Sequence, residues 1–242
     1  MTTHEALFIP KVTECESTFT HYYDQHPTRE DLIGESAAQS QLIGYLINVL
    51  RWLYRADDWF VVSNLNIYRS RKYREYPLAP DVAVFKGVVV TNPAARTLRS
   101  WRLYEKDRPP PQVVFEIASA ETWKEDLNDK PLQYAKLGVL EYYAYDPNEP
   151  PYWKNAAQRV RGWRIVDGKV QEQTLDPRGW LWSAELDSWL VPDGPLLRLF
   201  DRDSQPRLTE GEAERAAKEA ERAAKEQAWA KLRELGVDPE SL

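Results

Sequence analysis

The segment Gln112-Val113-Val114-Phe115-Glu116-Ile117-Ala118 constrains the fold of this chain more than any other. It follows three consecutive prolines, Pro109-Pro110-Pro111, and reads as a strand. Side chains alternate along a strand, so Val113, Phe115 and Ile117 share one face and Val114, Glu116 and Ala118 the other. Both faces are apolar apart from one glutamate, the pattern of a central strand covered by a layer on each side. A carboxylate there costs several kcal/mol if left charged and unpaired. Glu116 must therefore be protonated, paired with a cation or bound to a metal; a salt bridge to an arginine is the plain structural alternative.

The flanking pattern gives the layers. Ser36-Ala37-Ala38-Gln39 is a capping box opening a helix to about residue 55, with Leu42, Tyr45, Leu46, Val49 and Leu53 on one stripe. Phe60-Val61-Val62 with Leu65-Asn66-Ile67-Tyr68 is expected as a strand, and Asp81-Val82-Ala83-Val84-Phe85 as a second, led in by Pro80. Leu132 to Leu137 is helical and stops at Gly138, and Glu141-Tyr142-Tyr143-Ala144-Tyr145 is a further strand. The order predicts an α/β layer with a mixed sheet. Asp167-Gly168 marks a hairpin. The Trp-rich stretch to residue 190 is expected to extend the same sheet.

Residues 1–30 are expected to form an irregular arm, 31–208 one domain, and 209–242 a separate charged helix. In that helix Glu-Ala-Glu-Arg-Ala-Ala-Lys occurs at 212–218 and again at 219–225. Its seam is Ala213, Ala216, Ala220 and Ala223, and alanine buries little area. A homodimerising coiled coil and a solvated spacer helix both fit.

Several chemistries are excluded by residue distribution. His4, Cys15, His21 and His26 are the only histidines and cysteine. The body lacks a Ser-His-Asp triad, a Cys-His pair and a zinc ribbon. Nor do the spacings of these four match a zinc pattern. The ten glycines never form G-x-G, so there is neither a dinucleotide fingerprint nor a P-loop. No run is apolar for the ~20 residues that a membrane helix needs, the N-terminus lacks a secretory pattern, and a lone cysteine allows no internal disulfide. A cytoplasmic protein is expected.

Carboxylates, lysine, arginine, tyrosine and serine remain. Asp81, at the head of an apolar strand, is a second candidate acid, with a turn-closing role as its structural alternative. Two carboxylates on neighbouring strands suit Mg²⁺ or Mn²⁺. Lys130, near the start of the second helix, could reach the mouth of such a site; otherwise it is a surface lysine. Glu35 is a candidate third carboxylate, or an acid favoured by the helix dipole.

The succession Pro80-Asp81, Val113-Val114-Phe115-Glu116-Ile117-Ala118-Ser119, Asp126, Lys130, Tyr134, Leu137-Gly138-Val139, Glu141-Tyr142-Tyr143 and Asp146-Pro147 resembles the Uma-type putative restriction endonuclease family of the PD-(D/E)XK nuclease superfamily. Gly34-Glu35-Ser36 and the charged Ala-rich helix closing with Leu232-Arg233-Glu234-Leu235-Gly236-Val237-Asp238-Pro239 are similar to that family's ends. The resemblance implies a restriction-endonuclease-like α/β core with a central mixed sheet flanked by helices. It implies Asp81, Glu116 and the carbonyl of Ile117 as ligands of Mg²⁺ (or Mn²⁺). Ala118 stands where the superfamily pattern has lysine, so that role passes to Lys130. The implied activity is phosphodiester hydrolysis in nucleic acid, DNA being expected. An inactive nuclease-like assembly module is the alternative.

Three clusters are candidate substrate contacts: Arg69 to Arg74; Arg96 with Arg99 and Arg102; and Arg159, Arg161 and Arg164 with Trp163. The net charge is −6, with 26 basic against 29 acidic residues before position 209. Contact with nucleic acid must therefore come from local patches.

Overall fold

A computed structural model describes residues 11–12, 19–28, 36–90, 98, 100–153 and 158–235. The chain divides into two compact units, 1–207 and 208–242. The first contains β1 (Lys11–Val12), α1 (Ala37–Leu53), β2 (Trp59–Val62), β3 (Asn66–Tyr68), β4 (Val82–Lys86), β5 (Val89–Val90), β6 (Ser100–Arg102) and β7 (Val113–Ile117). It continues with α2 (Trp123–Asn128), α3 (Lys130–Leu137), β8 (Glu141–Tyr145), β9 (Val160–Val166), β10 (Lys169–Glu172), β11 (Leu181–Ser183), β12 (Ser188–Asp193) and β13 (Leu196–Phe200). The second holds α4 (Glu210–Glu234).

The central sheet is mixed, in the order β10-β9-β8-β7-β4-β2. Only β7 and β8 run parallel. Parallel neighbours cannot be joined by a tight turn, so α2 and α3 form the crossover between them. β7 is buried along its whole length. Val113, Phe115 and Ile117 join a core with Leu42, Leu46, Val49 and Leu50 of α1. Val114 and Ala118 join a second core with Tyr134, Val139 and Tyr142. The sheet is thus covered by α1 on one side and by α3 on the other. Ser36 caps α1 with the expected reciprocal bonds to Gln39.

Three expectations are corrected. Residues 60–68 do not make one strand: Asn64 takes a left-handed φ of 50°, and the chain turns there. β2 stays in the central sheet, whereas β3 pairs in parallel with β6. Secondly, residues 181–200 do not extend the central sheet. Among the described residues β11, β12 and β13 form their own three-stranded antiparallel meander, and their Leu181, Leu190, Leu197 and Leu199 add to the α1-side core. Thirdly, residues 19–28, irregular apart from a 3-10 turn at Tyr22–Asp24, pack against the body. His21 is fully buried and its ring stacks on Tyr68 at 3.6 Å.

The hairpin is seen in β9 and β10, turned by Asp167 and Gly168 with positive φ. α4 starts at the Thr209 capping box with Glu212 and buries none of its side chains.

Candidate active site

The register of β4 on β7 sets the first pair. Val82 lies opposite Phe115 and Ala83 opposite Val114, so one further step puts Asp81 opposite Glu116. Opposed residues in an antiparallel pair share a face. That face is the one that α3 covers. Asp81 Oδ2 accepts a hydrogen bond of 2.6 Å from the Ile117 N–H. Its side chain continues the ladder where the β4 backbone leaves it.

Glu116 is 3 % exposed. Tyr134 donates its hydroxyl to Glu116 Oε1 at 2.5 Å, and Lys130 Nζ lies 3.0 Å from Oε2. The same ammonium is 2.9 Å from Asp126 Oδ1. Asp126 is fully buried, and its Oδ2 accepts from the Thr122 hydroxyl at 3.1 Å. Lys130 is not a surface lysine: it is 6 % exposed. Pro131 beside it is compatible with the helix because it occupies the first turn, where no N–H partner is needed.

The sequence-derived residues Asp81, Glu116, Ile117 and Lys130 are therefore neighbours. Glu35 lies outside the described residues. Sequence reasoning gives Gln39 a capping role and Asp126 and Tyr134 a place in the family resemblance, but none of the three a role at the site. Asp126, Lys130 and Tyr134 are spaced by four, which places them along one helical stripe, and that spacing was the available signal. Gln39 donates its Nε2 to the Ile117 carbonyl at 3.3 Å while its Oε1 caps α1. The capping residue of α1 thus touches the carbonyl implied as a ligand.

Charge is unbalanced here: Asp81, Glu116 and Asp126 surround one ammonium. Burial, and then the charge of Glu116, hold the Asp81 carboxyl well above the usual carboxylate range. Burial, followed by the same glutamate against the pull of Lys130, pushes Asp126 up to about 6. Two other buried acids lie away from this group and are held by several donors each. Glu141 accepts from the Ser183 and Tyr143 hydroxyls, the Ala184 and Glu185 N–H groups and Arg164. Asp146 accepts from Asn148 and the Tyr152 N–H. These two are satisfied structural carboxylates.

The surplus of negative charge and the all-oxygen donor set fit a hard divalent cation. Among the described residues no three His, Cys, Asp or Glu side chains converge as a metal cluster. The donors at hand are two carboxylates and the Ile117 carbonyl, which suits an ion that keeps several water or phosphate ligands. A carboxylate offers about four lone-pair positions, so Glu116 can keep Tyr134 and Lys130 and still accept a cation.

Among known proteins, one similar solved structure is that of a putative nuclease belonging to DUF820 from Anabaena variabilis ATCC 29413. It is 12% identical with a TM-score of 0.42, over 64% of this chain and 76% of that one. No curated protein matches. Residues 31–190, well over half of the chain, match the Uma2 family, described as putative restriction endonuclease, and the chain belongs to that family.

Proposed function

We propose that this protein is a divalent-metal-dependent nuclease that hydrolyses phosphodiester bonds in nucleic acid, with DNA as the first substrate to test. The observation that carries the reading is the same-face grouping of Asp81 with the buried Glu116 and Lys130 at the open end of the β4–β7 pair. Asp81, Glu116 and the carbonyl of Ile117 would hold Mg²⁺ or Mn²⁺, and Glu35 is a further candidate acid. A cation bound there supplies Lewis-acid polarisation of a phosphate oxygen and acidifies a bound water.

The chain's own groups have distinct tasks. Lys130 offsets negative charge that develops on the phosphoryl group and orients the attacking water. Tyr134 and Lys130 fix the Glu116 carboxylate in one rotamer. Gln39 holds the Ile117 carbonyl in place. The Asp81 bond to the Ile117 N–H locks the two strands in register. No helix among the described residues is long and apolar enough to cross a membrane, and a cytoplasmic setting fits the single cysteine. Dimerisation through α4 is part of the proposal.

Cleavage of plasmid and of single strands with Mg²⁺ or Mn²⁺ tests it. Wild type should cut, and Asp81→Ala and Glu116→Ala should not. Cleavage surviving both substitutions assigns the activity to another site. A second reading draws on the engagement of both Glu116 oxygens by Lys130 and Tyr134: a closed ion-pair network in an inactive binding module. It predicts no cleavage with either ion and no thermal shift on adding them.

A further inference from the structure

Of the three basic clusters, the one at 159–164 is paired with acids within the protein, and so is Arg102 of the second. Arg102 pairs with Asp24 at 3.1 Å and Glu105 at 3.4 Å, while Arg96 and Arg99 lie outside the described residues. Arg159 pairs with Glu149, Arg161 with Glu172, and Arg164 with Glu141. The cluster at 69–74 differs. Arg69, Arg71, Lys72 and Arg74 are all exposed, and among the described residues none of them pairs with a carboxylate. Glu75, on the same hairpin and lining the cleft between it and α3, is engaged locally, accepting from the Arg69 and Ser70 N–H groups and the Ser70 hydroxyl. In an acidic protein this is a local cationic patch.

The patch is pre-organised. It sits on a hairpin closed by the Ile67–Leu78 bridge, and that hairpin leads three residues later into Asp81. The buried His21 ring reaches the Lys72 carbonyl at 3.1 Å, and the Tyr22 N–H donates to the Tyr73 carbonyl at 2.9 Å. The Arg71 and Arg74 guanidiniums lie over the rings of Phe19 and Tyr22. Two aromatic side chains on the hairpin are exposed, Tyr73 at 53 % and Tyr76 at 47 %, each also meeting a ring of the preceding segment at a steep angle, Tyr73 that of Tyr22 and Tyr76 that of Tyr23. Between the hairpin and α3 runs a cleft of about 360 Å³ lined by Arg69, Tyr76, Gln133 and Lys136. The helix that carries Lys130 and Tyr134 to Glu116 also forms the wall of this cleft.

Resting on the nuclease reading, we infer that the 67–78 hairpin and the outer side of α3 form the substrate-binding groove, and that it takes an unpaired nucleic-acid strand. Arg69, Lys136 and the cations at 71, 72 and 74 contact phosphates, and Tyr76 stacks on a base. Exposed aromatic faces interleaved with cations favour an unpaired strand, because bases in a duplex offer no free faces.

The test is binding of a fluorescent 20-mer oligothymidylate to the full-length protein in EDTA, read by anisotropy at several salt concentrations. Combined Arg69→Gln, Arg71→Gln, Lys72→Gln and Arg74→Gln should weaken binding at least tenfold. It should also lower the salt slope by about 0.7 for each phosphate that is no longer neutralised. Tyr76→Ser should weaken binding severalfold without changing that slope. A charge-matched control on α4, with Arg215, Lys218, Arg222 and Lys225 all changed to Gln, should bind as wild type; circular dichroism checks that each variant is folded. Unchanged affinity in the hairpin variant, an equal loss in the α4 control, or duplex competing as well as single strand would overturn the inference. Because EDTA removes cleavage from the measurement, a protein that binds but never cuts refutes the nuclease reading alone. One that cuts with its affinity unmoved by the hairpin substitutions refutes this inference alone.

Discussion

Lys130 Nζ bridges Glu116 and Asp126, 3.0 Å from one carboxylate and 2.9 Å from the other, with both acids buried. One ammonium thereby serves two carboxylates while a third acid, Asp81, stands opposite Glu116 in the strand register. A site with this imbalance holds its charges at a cost in stability, and the cost is relieved by removing an anion or adding a cation.

Glu116→Gln and Lys130→Met should therefore move stability in opposite ways. The glutamine keeps an acceptor for the Tyr134 hydroxyl and removes repulsion with Asp81, so its melting temperature should equal or exceed wild type. The methionine leaves Glu116 and Asp126 buried without their shared cation, a loss of about 3–5 kcal/mol. Urea or thermal unfolding of both variants reads this, and both should fail to cleave. Equal destabilisation by the two would show that Lys130 contributes no more than packing.

Part of this site is legible in the amino-acid sequence. The two-sided apolar run around Glu116 marks a central strand, and the proline-led strand at Asp81 its neighbour, because burial on both faces leaves a clear hydrophobic pattern. α2 escapes such a reading: only one of its residues, Asp126, is fully buried, so it has almost no apolar stripe to read. The burial of His21 depends on a stack with Tyr68, which is remote in sequence, and on no local pattern. The separate meander is hidden for a similar reason. Alternation in 181–200 reports a buried face without saying which strands pair with it.

A divalent ion should stabilise the folded protein through Asp81 and Glu116. At a hundredfold excess over the dissociation constant the gain is about 2.7 kcal/mol, or a melting shift of about 5–10 °C for a chain of this size. Scanning fluorimetry with Mn²⁺ or Mg²⁺ against EDTA measures it. The shift should vanish in Asp81→Asn, and its persistence there would place the ion elsewhere.

Asp126 predicts a pH signature. Its folded pKa is raised to about 6 from 3.8, chiefly by burial, with the charge of Glu116 adding to it against the pull of Lys130. Between those values the folded state binds more protons than the unfolded state, so stability falls as pH rises through about 4 to 6. The full contribution is present below about pH 4 and is gone above about 6, on the order of 3 kcal/mol at 1.36 kcal/mol per unit. Urea titrations of wild type and Asp126→Asn across this range isolate the effect, because the constant penalty of mispairing the amide cancels in the slope. Relative to the variant, wild type should lose stability with rising pH; parallel curves would show that Asp126 does not titrate there.

Gly162 tests how the meander closes over the sheet. It lies in β9 directly opposite Tyr143 of β8. A methyl at Gly162 would meet the Tyr143 ring at 2.8 Å, and closer still the Leu181 side chain of β11. Tyr143 is fully buried with its hydroxyl donating to Glu141 at 2.9 Å, and Leu181 is 1 % exposed, so neither ring nor leucine has room to withdraw. Gly162→Ala should cost about 1–3 kcal/mol by overpacking. Gly168→Ala, at a turn where the added carbon meets nothing within 4 Å but φ is +71°, should be destabilising through backbone strain alone. Adding Leu181→Ala should recover part of the Gly162→Ala loss, because it removes the clashing group, and should recover none of the Gly168→Ala loss. A double-mutant cycle with no coupling between positions 162 and 181 would refute the close packing of β9 under β11.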